Sequence, residues 1–218
     1  MLEIIGKSGW LFWGCAGVFF GRYGRRYIEN GLKLRDYGER IWMMKPLVWE
    51  LLNGVLWGIT AVLYERIADK IIFGLLCSVL LGIAAIDICI YEIPPVLNGI
   101  IACLGVLRIL MDLHHWNMYI TGSLLGGGIF LLVYLCSGEK GIGGGDVKLM
   151  AAAGLVLGVQ KIFWALFLGC LIAVLIQLPL KLFGKKNSTF ALGPYLALGI
   201  GGMVWFGDKI VQWEYLLG

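Results

Sequence analysis

Long apolar runs, each close to the length of a bilayer, alternate along this chain with short blocks of charge. That pattern constrains the fold more than any other feature. In hydrocarbon every backbone N–H and C=O must be paired within the chain, so a segment that crosses must be a helix or part of a closed barrel. A crossing helix needs about 20 apolar residues. Runs of that length, without the strict alternation of barrel strands, predict an all-α polytopic membrane protein of about eight transmembrane helices. The composition agrees: 60% of the residues are hydrophobic and only 15% charged, against about a quarter charged in soluble domains.

The spans are expected at about 8–22, 46–64, 70–91, 95–113, 117–136, 146–160, 162–182 and 190–207. No low-complexity linker interrupts them. The expectation is one membrane-embedded domain over 1–218, with a short basic cytoplasmic loop at about 22–45. That loop holds Arg22, Arg25, Arg26, Lys33, Arg35, Arg40 and Lys45; Lys140 with Lys148, and Lys181, Lys185 and Lys186, mark two further basic connections. The positive-inside bias puts these odd-numbered loops in the cytoplasm and both termini outside. The same bias accounts for the net charge of +4 without a nucleic-acid partner. The first apolar stretch, about Trp10 to Phe20, lacks a basic n-region and is expected to stay as a membrane segment rather than a removed signal.

Six cysteines (Cys15, Cys77, Cys89, Cys103, Cys136 and Cys170) lie in or beside apolar stretches, with no C-x-x-C pair. They read as packing residues, with no disulfide framework and no thiolate metal site. His114 and His115, with Asp112, fall in an outer loop and read as solvated. Glu50 lies inside the second span, either lining an active-site cavity or answering a neighbouring helix. Trp10, Trp13, Trp42, Trp205 and Trp213 read as interfacial anchors, and Gly122, Gly126, Gly127 and Gly128 as sites of close helix packing.

Two acids stand out. Asp87 lies in Ile83-Ala-Ala-Ile-Asp-Ile-Cys-Ile90, about one turn inside the third span. Asp146 follows Gly141-Ile-Gly-Gly-Gly145 and opens the sixth. A carboxylate in a membrane segment costs a few kcal/mol at its centre, so it marks function. Two on one side of the membrane can form a pair that shares a proton. One, ionised, takes a proton from water attacking a carbonyl; the other, protonated, donates to the carbonyl oxygen. Asp146, at a helix N-terminus near Lys148, is the expected resting base; Asp87, toward a helix C-terminus in apolar surroundings, the resting acid. Gly143 and Gly145 allow a sharp turn or close approach of substrate backbone. Pro94 and Pro95 fix the exit from the third span.

At these residues the chain resembles the type IV prepilin peptidases, G-x-G-D intramembrane aspartyl proteases. Asp87 with Pro94 is similar to the family's first aspartate motif, and Gly143-Gly-Gly-Asp146-Val-Lys-Leu-Met150 to its second. Lys45-Pro-Leu-Val-Trp-Glu-Leu-Leu-Asn-Gly54 and Phe190-Ala-Leu-Gly-Pro-Tyr195 extend the likeness over nearly the whole chain. The resemblance implies catalytic Asp87 and Asp146, supported by Gly143, Gly145, Lys148 and Pro94. It implies removal of a basic leader from prepilins or pseudopilins at the cytoplasmic face of the inner membrane. It needs no metal or cofactor for proteolysis. Larger relatives carry C-x-x-C pairs in the first loop and also N-methylate the product with S-adenosylmethionine. Here the loop has no cysteine, and Pro95 replaces the relatives' usual Asp or Asn. S-adenosylmethionine is implied only where methyl transfer is retained. A presenilin-like protease and a proton-coupled transporter are the competing readings.

Overall fold

The computed structural model describes residues 2–33, 45–137, 142–182 and 191–217. These form eight α-helices: α1 (Leu2–Lys33), α2 (Pro46–Leu63), α3 (Ile67–Ile90), α4 (Pro95–Met111), α5 (Trp116–Cys136), α6 (Gly144–Leu157), α7 (Val159–Leu182) and α8 (Gly193–Leu217). A 3-10 turn, Leu113–His115, leads into α5. The all-α reading and the helix number match the sequence expectation. Four segments are long and apolar enough to cross a membrane: Pro46–Leu63, Ile67–Ile90, Leu113–Cys136 and Val159–Leu180; Pro95–Met111 is a shorter apolar helix. Arg35, Arg40, Trp42, Lys140, Lys185, Lys186 and Phe190 lie outside the described residues, as do the side chains of Lys33 and Lys181.

The chain divides into two compact units, Met1–Ile90 and Tyr91–Gly218. In the first, α1, α2 and α3 pack around Trp57, Phe73, Leu76 and Ile83, all essentially inaccessible. The Trp57 indole N–H donates to Ser78 Oγ at 2.9 Å, so the one polar group of this large side chain is answered. Helix α1 departs from the expected span of 8–22: it continues as helix to Lys33, through the stretch read as a loop. Charge pairing supports the continuation. Arg25 Nη1 meets Glu29 Oε1 at 2.6 Å, an i,i+4 pair on one helix face.

In the second unit, α4 to α8 enclose Leu149, Met150, Ile162, Leu196, Ile200 and Met203. Helix α6 is the packed centre and runs for 14 residues, about 21 Å at 1.5 Å per residue and short of a hydrocarbon core of about 30 Å. The expected spans at 146–160 and 162–182 are therefore corrected: α6 stops at Leu157, and a single residue, Gly158, joins it to α7. Gly158 has φ 78° and ψ 173°, a backbone region essentially reserved for glycine.

Close packing of α5 on α6 rests on glycine, as expected. A Cβ on Gly122 would lie 2.8 Å from Gly154 O, and one on Gly126 2.7 Å from Met150 O. Gly127 is similarly closed by Ala151. Gly128 differs: no atom lies within 4 Å of its Cβ position, so it takes no part in that contact.

Candidate active site

The G-x-G-D segment folds as the start of α6. Gly143 is the N-cap, with extended backbone (φ −75°, ψ 145°), and Asp146 is the third helical residue. The Asp146 and Val147 N–H groups both donate to Gly143 O, at 3.0 and 3.4 Å. In return the Gly143 N–H donates to Asp146 Oδ2 at 3.2 Å. Glycine has no side chain, so this is half of a capping box, in which the third residue reaches back to the cap. The bond uses one carboxylate oxygen to close the loop on itself. Asp146 is 8% exposed.

Two residues beyond the glycine loop hold it in place. A Cβ on Gly145 would stand 3.0 Å from Ile93 Cβ, so glycine here admits the chain that leaves α3. Asn98, in the second turn of α4 and buried, donates from Nδ2 to Gly145 O at 3.1 Å. Its Oδ1 is buried without a hydrogen-bond partner among the described residues. Pro94, adjacent to Ile93, caps α4 and accepts the Leu97 N–H at 3.1 Å. Tyr91, just after α3, has φ 56°, a left-handed turn that redirects the chain toward this proline. Gly143, Gly145, Asp146 and the Pro94 turn thus form one contiguous assembly in the second unit. Lys148 is exposed and two residues from Asp146, a spacing at which helical side chains do not face each other.

Asp87 belongs to the first unit, one turn before the end of α3, and is 6% exposed. Sequence reasoning left Glu50 between two roles, and the structure decides for the neighbouring helix. Arg22 grips it with both arms, Nε to Oε1 at 3.0 Å and Nη2 to Oε2 at 3.3 Å. The sequence assigns no role to Asn98, although it lies close to Pro95, because a contact between residues 47 apart leaves no local signal.

His114 and His115, between α4 and α5, are exposed and Asp112 is half-buried, in line with their reading as solvated. His115 Nδ1 and Asp112 Oδ1 are 2.9 Å apart, and the Tyr119 hydroxyl donates to Asp112 Oδ2 at 3.0 Å. The hydrogen bond to His115 holds the Asp112 carboxyl below its usual range. Among the described residues no three His, Cys, Asp or Glu side chains are grouped to hold a metal ion.

A cavity of about 550 Å³ lies between α1 and α2. Its lining is apolar side chains, glycines and Cys15. Among the described residues its lining offers no polar side chain for the ribose hydroxyls or the adenine edge, so it does not fit S-adenosylmethionine. No methyl-transfer step is derived from it.

Residues 74–178 match the family model described as Type IV leader peptidase family. The chain is similar to a prepilin leader peptidase/N-methyltransferase of Bacillus subtilis (strain 168), 29% identical over 183 residues, which are 83% of this chain and 73% of that protein. A protein of the same name from Neisseria gonorrhoeae is 29% identical over 177 residues, 78% of this chain and 59% of the relative. One from Escherichia coli (strain K12) is 33% identical over 105 residues, 44% of this chain and 45% of the relative. No solved structure matches.

Proposed function

We propose, from the premise that the chain belongs to the type IV leader peptidase family, that it is an aspartic endopeptidase that cuts the leader from prepilins or pseudopilins at the cytoplasmic face of the inner membrane. The observation that carries this reading is the construction around Asp146. A buried carboxylate ends a glycine loop, one oxygen is held by the Gly143 N–H, and the preceding carbonyl is fixed by Asn98. Such a group is oriented before substrate arrives, and holding the reacting parts in register lowers the barrier.

In the proposed reaction Asp146 is ionised and takes a proton from water as its oxygen attacks the scissile carbonyl. Asp87, protonated, donates to the carbonyl oxygen, giving a neutral tetrahedral diol. The new proton on Asp146 then passes to the leaving amine as the C–N bond breaks, and a diol proton returns to Asp87. Water is consumed and no metal or cofactor enters the step. Between Gly143 and Gly145, Gly144 meets no atom within 4 Å of its Cβ position and leaves that edge of the loop bare, where an extended leader strand would approach. Lys148 is an exposed cation at the same helix end.

The test is co-expression of wild type, Asp87→Asn and Asp146→Asn with a prepilin in a host lacking its own peptidase. Each variant should lose about 10²–10⁴-fold in cleavage, the usual contribution of a positioned acid or base. An asparagine at 146 can still accept the Gly143 N–H, so the loop survives while the base is lost. Cleavage at the wild-type rate in either variant overturns the paired-carboxylate mechanism.

A further inference from the structure

We infer that the groove between α1 and α2 is a binding site for one anionic phospholipid, its acyl chain along the groove and its phosphate at the arginines below. The groove runs beside α2 from Leu51 to Leu63, about 18 Å at 1.5 Å per residue, a length that suits one acyl chain. Gly14 on α1 and Gly54 and Gly58 on α2 line it; a Cβ on Gly54 would stand 3.0 Å from Val18, so Gly14 and Gly54 are where the two helices come close. At Gly58 the nearest atom to a Cβ position is Trp10 O at 3.9 Å, an ordinary contact, so a methyl fits there and a larger side chain would enter the groove.

The occupant is identified by what lies at one end. Leu11, Cys15 and Val18 line the groove from α1. At helical spacing the same stripe continues as Arg22 and Arg25, with Arg26 at its edge. Val18 meets Gly54 across the helices, and Arg22 meets Glu50 one turn further, so the arginines stand at the Leu51 end. Among the described residues Glu50 and Glu29 answer two of the three cations, which leaves Arg26 over. Arg26 is exposed, and Arg25 Nε is buried without a hydrogen-bond partner among the described residues. An apolar trough whose α1 stripe continues past one end into exposed arginine is complementary to an anionic headgroup on a hydrocarbon tail. A basic peptide would be repelled by it. A neutral helix would leave the exposed Arg26 without a counter-charge.

The inference is independent of the peptidase reading, since it concerns no acid of the proposed dyad. The purified full chain in detergent is examined by native mass spectrometry after titration with phosphatidylglycerol, phosphatidylcholine or inorganic phosphate. One retained phosphatidylglycerol is expected, preferred over phosphatidylcholine. Arg26→Gln should reduce that preference about fivefold, the value of one basic residue near an anionic headgroup. Gly58→Leu, which fills the trough, should abolish retention of both lipids while the arginines remain. Equal retention of the two lipids overturns the proposal, as does competition by inorganic phosphate, which would make the site one for the free anion. Appearance of a dimer that Gly58→Leu abolishes would also overturn it, assigning the groove to a second copy. Should Gly58→Leu fail to fold, Arg26→Gln decides alone: an unchanged lipid preference refutes the site.

Discussion

Asn98→Ala separates what holds the protein together from what aims its proposed base. The substitution deletes one hydrogen bond, Nδ2 to Gly145 O at 3.1 Å, worth about 0.5–1.5 kcal/mol net. It also deletes a buried acceptor, Oδ1, which has no partner among the described residues and costs about 1–3 kcal/mol to leave desolvated. No new orphan forms, because Gly145 O at the start of α6 keeps its intrahelical bond from four residues on. The two terms nearly cancel, so Tm should stay within about 4 °C of wild type, the shift that about 1 kcal/mol produces in a chain of this size.

Cleavage should behave otherwise. Asn98 ties α4 to the residue next to Asp146, and a misplacement of about 1 Å at a reacting group costs on the order of 10²-fold in rate. Asn98→Asp supplies the contrast. A carboxylate in place of the amide would face a carbonyl oxygen, two acceptors with no proton between them, so stability and activity should fall together. The assay is thermal melting of each purified variant beside its rate of prepilin cleavage. An Asn98→Ala variant that melts far below wild type yet cleaves normally would refute both halves of the reasoning.

Two further outcomes follow from the packing and the charges. Gly154→Ala drives a methyl into the backbone of Gly122 and to 2.6 Å from Ser123 N, an overpacking cost of about 1–3 kcal/mol that exceeds the roughly 1 kcal/mol alanine gains over glycine in a helix. Gly128→Ala meets nothing within 4 Å and keeps the helix gain, so melting should rank Gly128→Ala above wild type and Gly154→Ala below it. Between α4 and α5 the Asp112 carboxyl is held below its ordinary value by the hydrogen bond to His115. Its contribution is therefore present above the unfolded carboxyl pKa of about 3.9 and is lost as pH falls through the lower folded value. The Asp112 side chain is 36% exposed, which limits the effect to no more than about 1 kcal/mol. Asp112→Asn should flatten the acid limb of a stability-against-pH curve, and an unchanged limb would refute the assignment.

How far the sequence was legible depends on how local each feature is. Helix number and class follow from apolar run length, which hydrocarbon enforces segment by segment. The α6 start follows from a glycine loop ending in an acid, a pattern contained within four residues. The extent of α1 was not legible, because Arg22 and Glu50 are 28 residues apart and basic residues alone read as loop. Nor was the early end of α6, since a glycine at φ 78° looks in sequence like the packing glycines Gly122 and Gly126. The Asn98 tie was hidden for the same reason, its partner lying across two helices.

Burial alone does not mark the proposed acids. Glu50 and Asp69 are as inaccessible as Asp87 and Asp146, at 8% and 9% against 6% and 8%. What distinguishes them is the reason each can be buried. Glu50 is gripped by Arg22 from the adjacent helix. Asp69 lies in the first turn of α3, where the N-terminal N–H groups favour a carboxylate. Asp146 enjoys the same end of its own helix, yet its cap is a glycine loop left bare of side chains, more opening than a structural cap requires. Asp87 has the opposite placement, near the C-terminus of α3, where the helix dipole opposes a negative charge. The proposed mechanism calls for one neutral and one ionised acid, and the opposite helix ends are the placement that reading expects. The polarity of the helix ends that carry the two aspartates therefore adds to the construction around Asp146 more than their depth does.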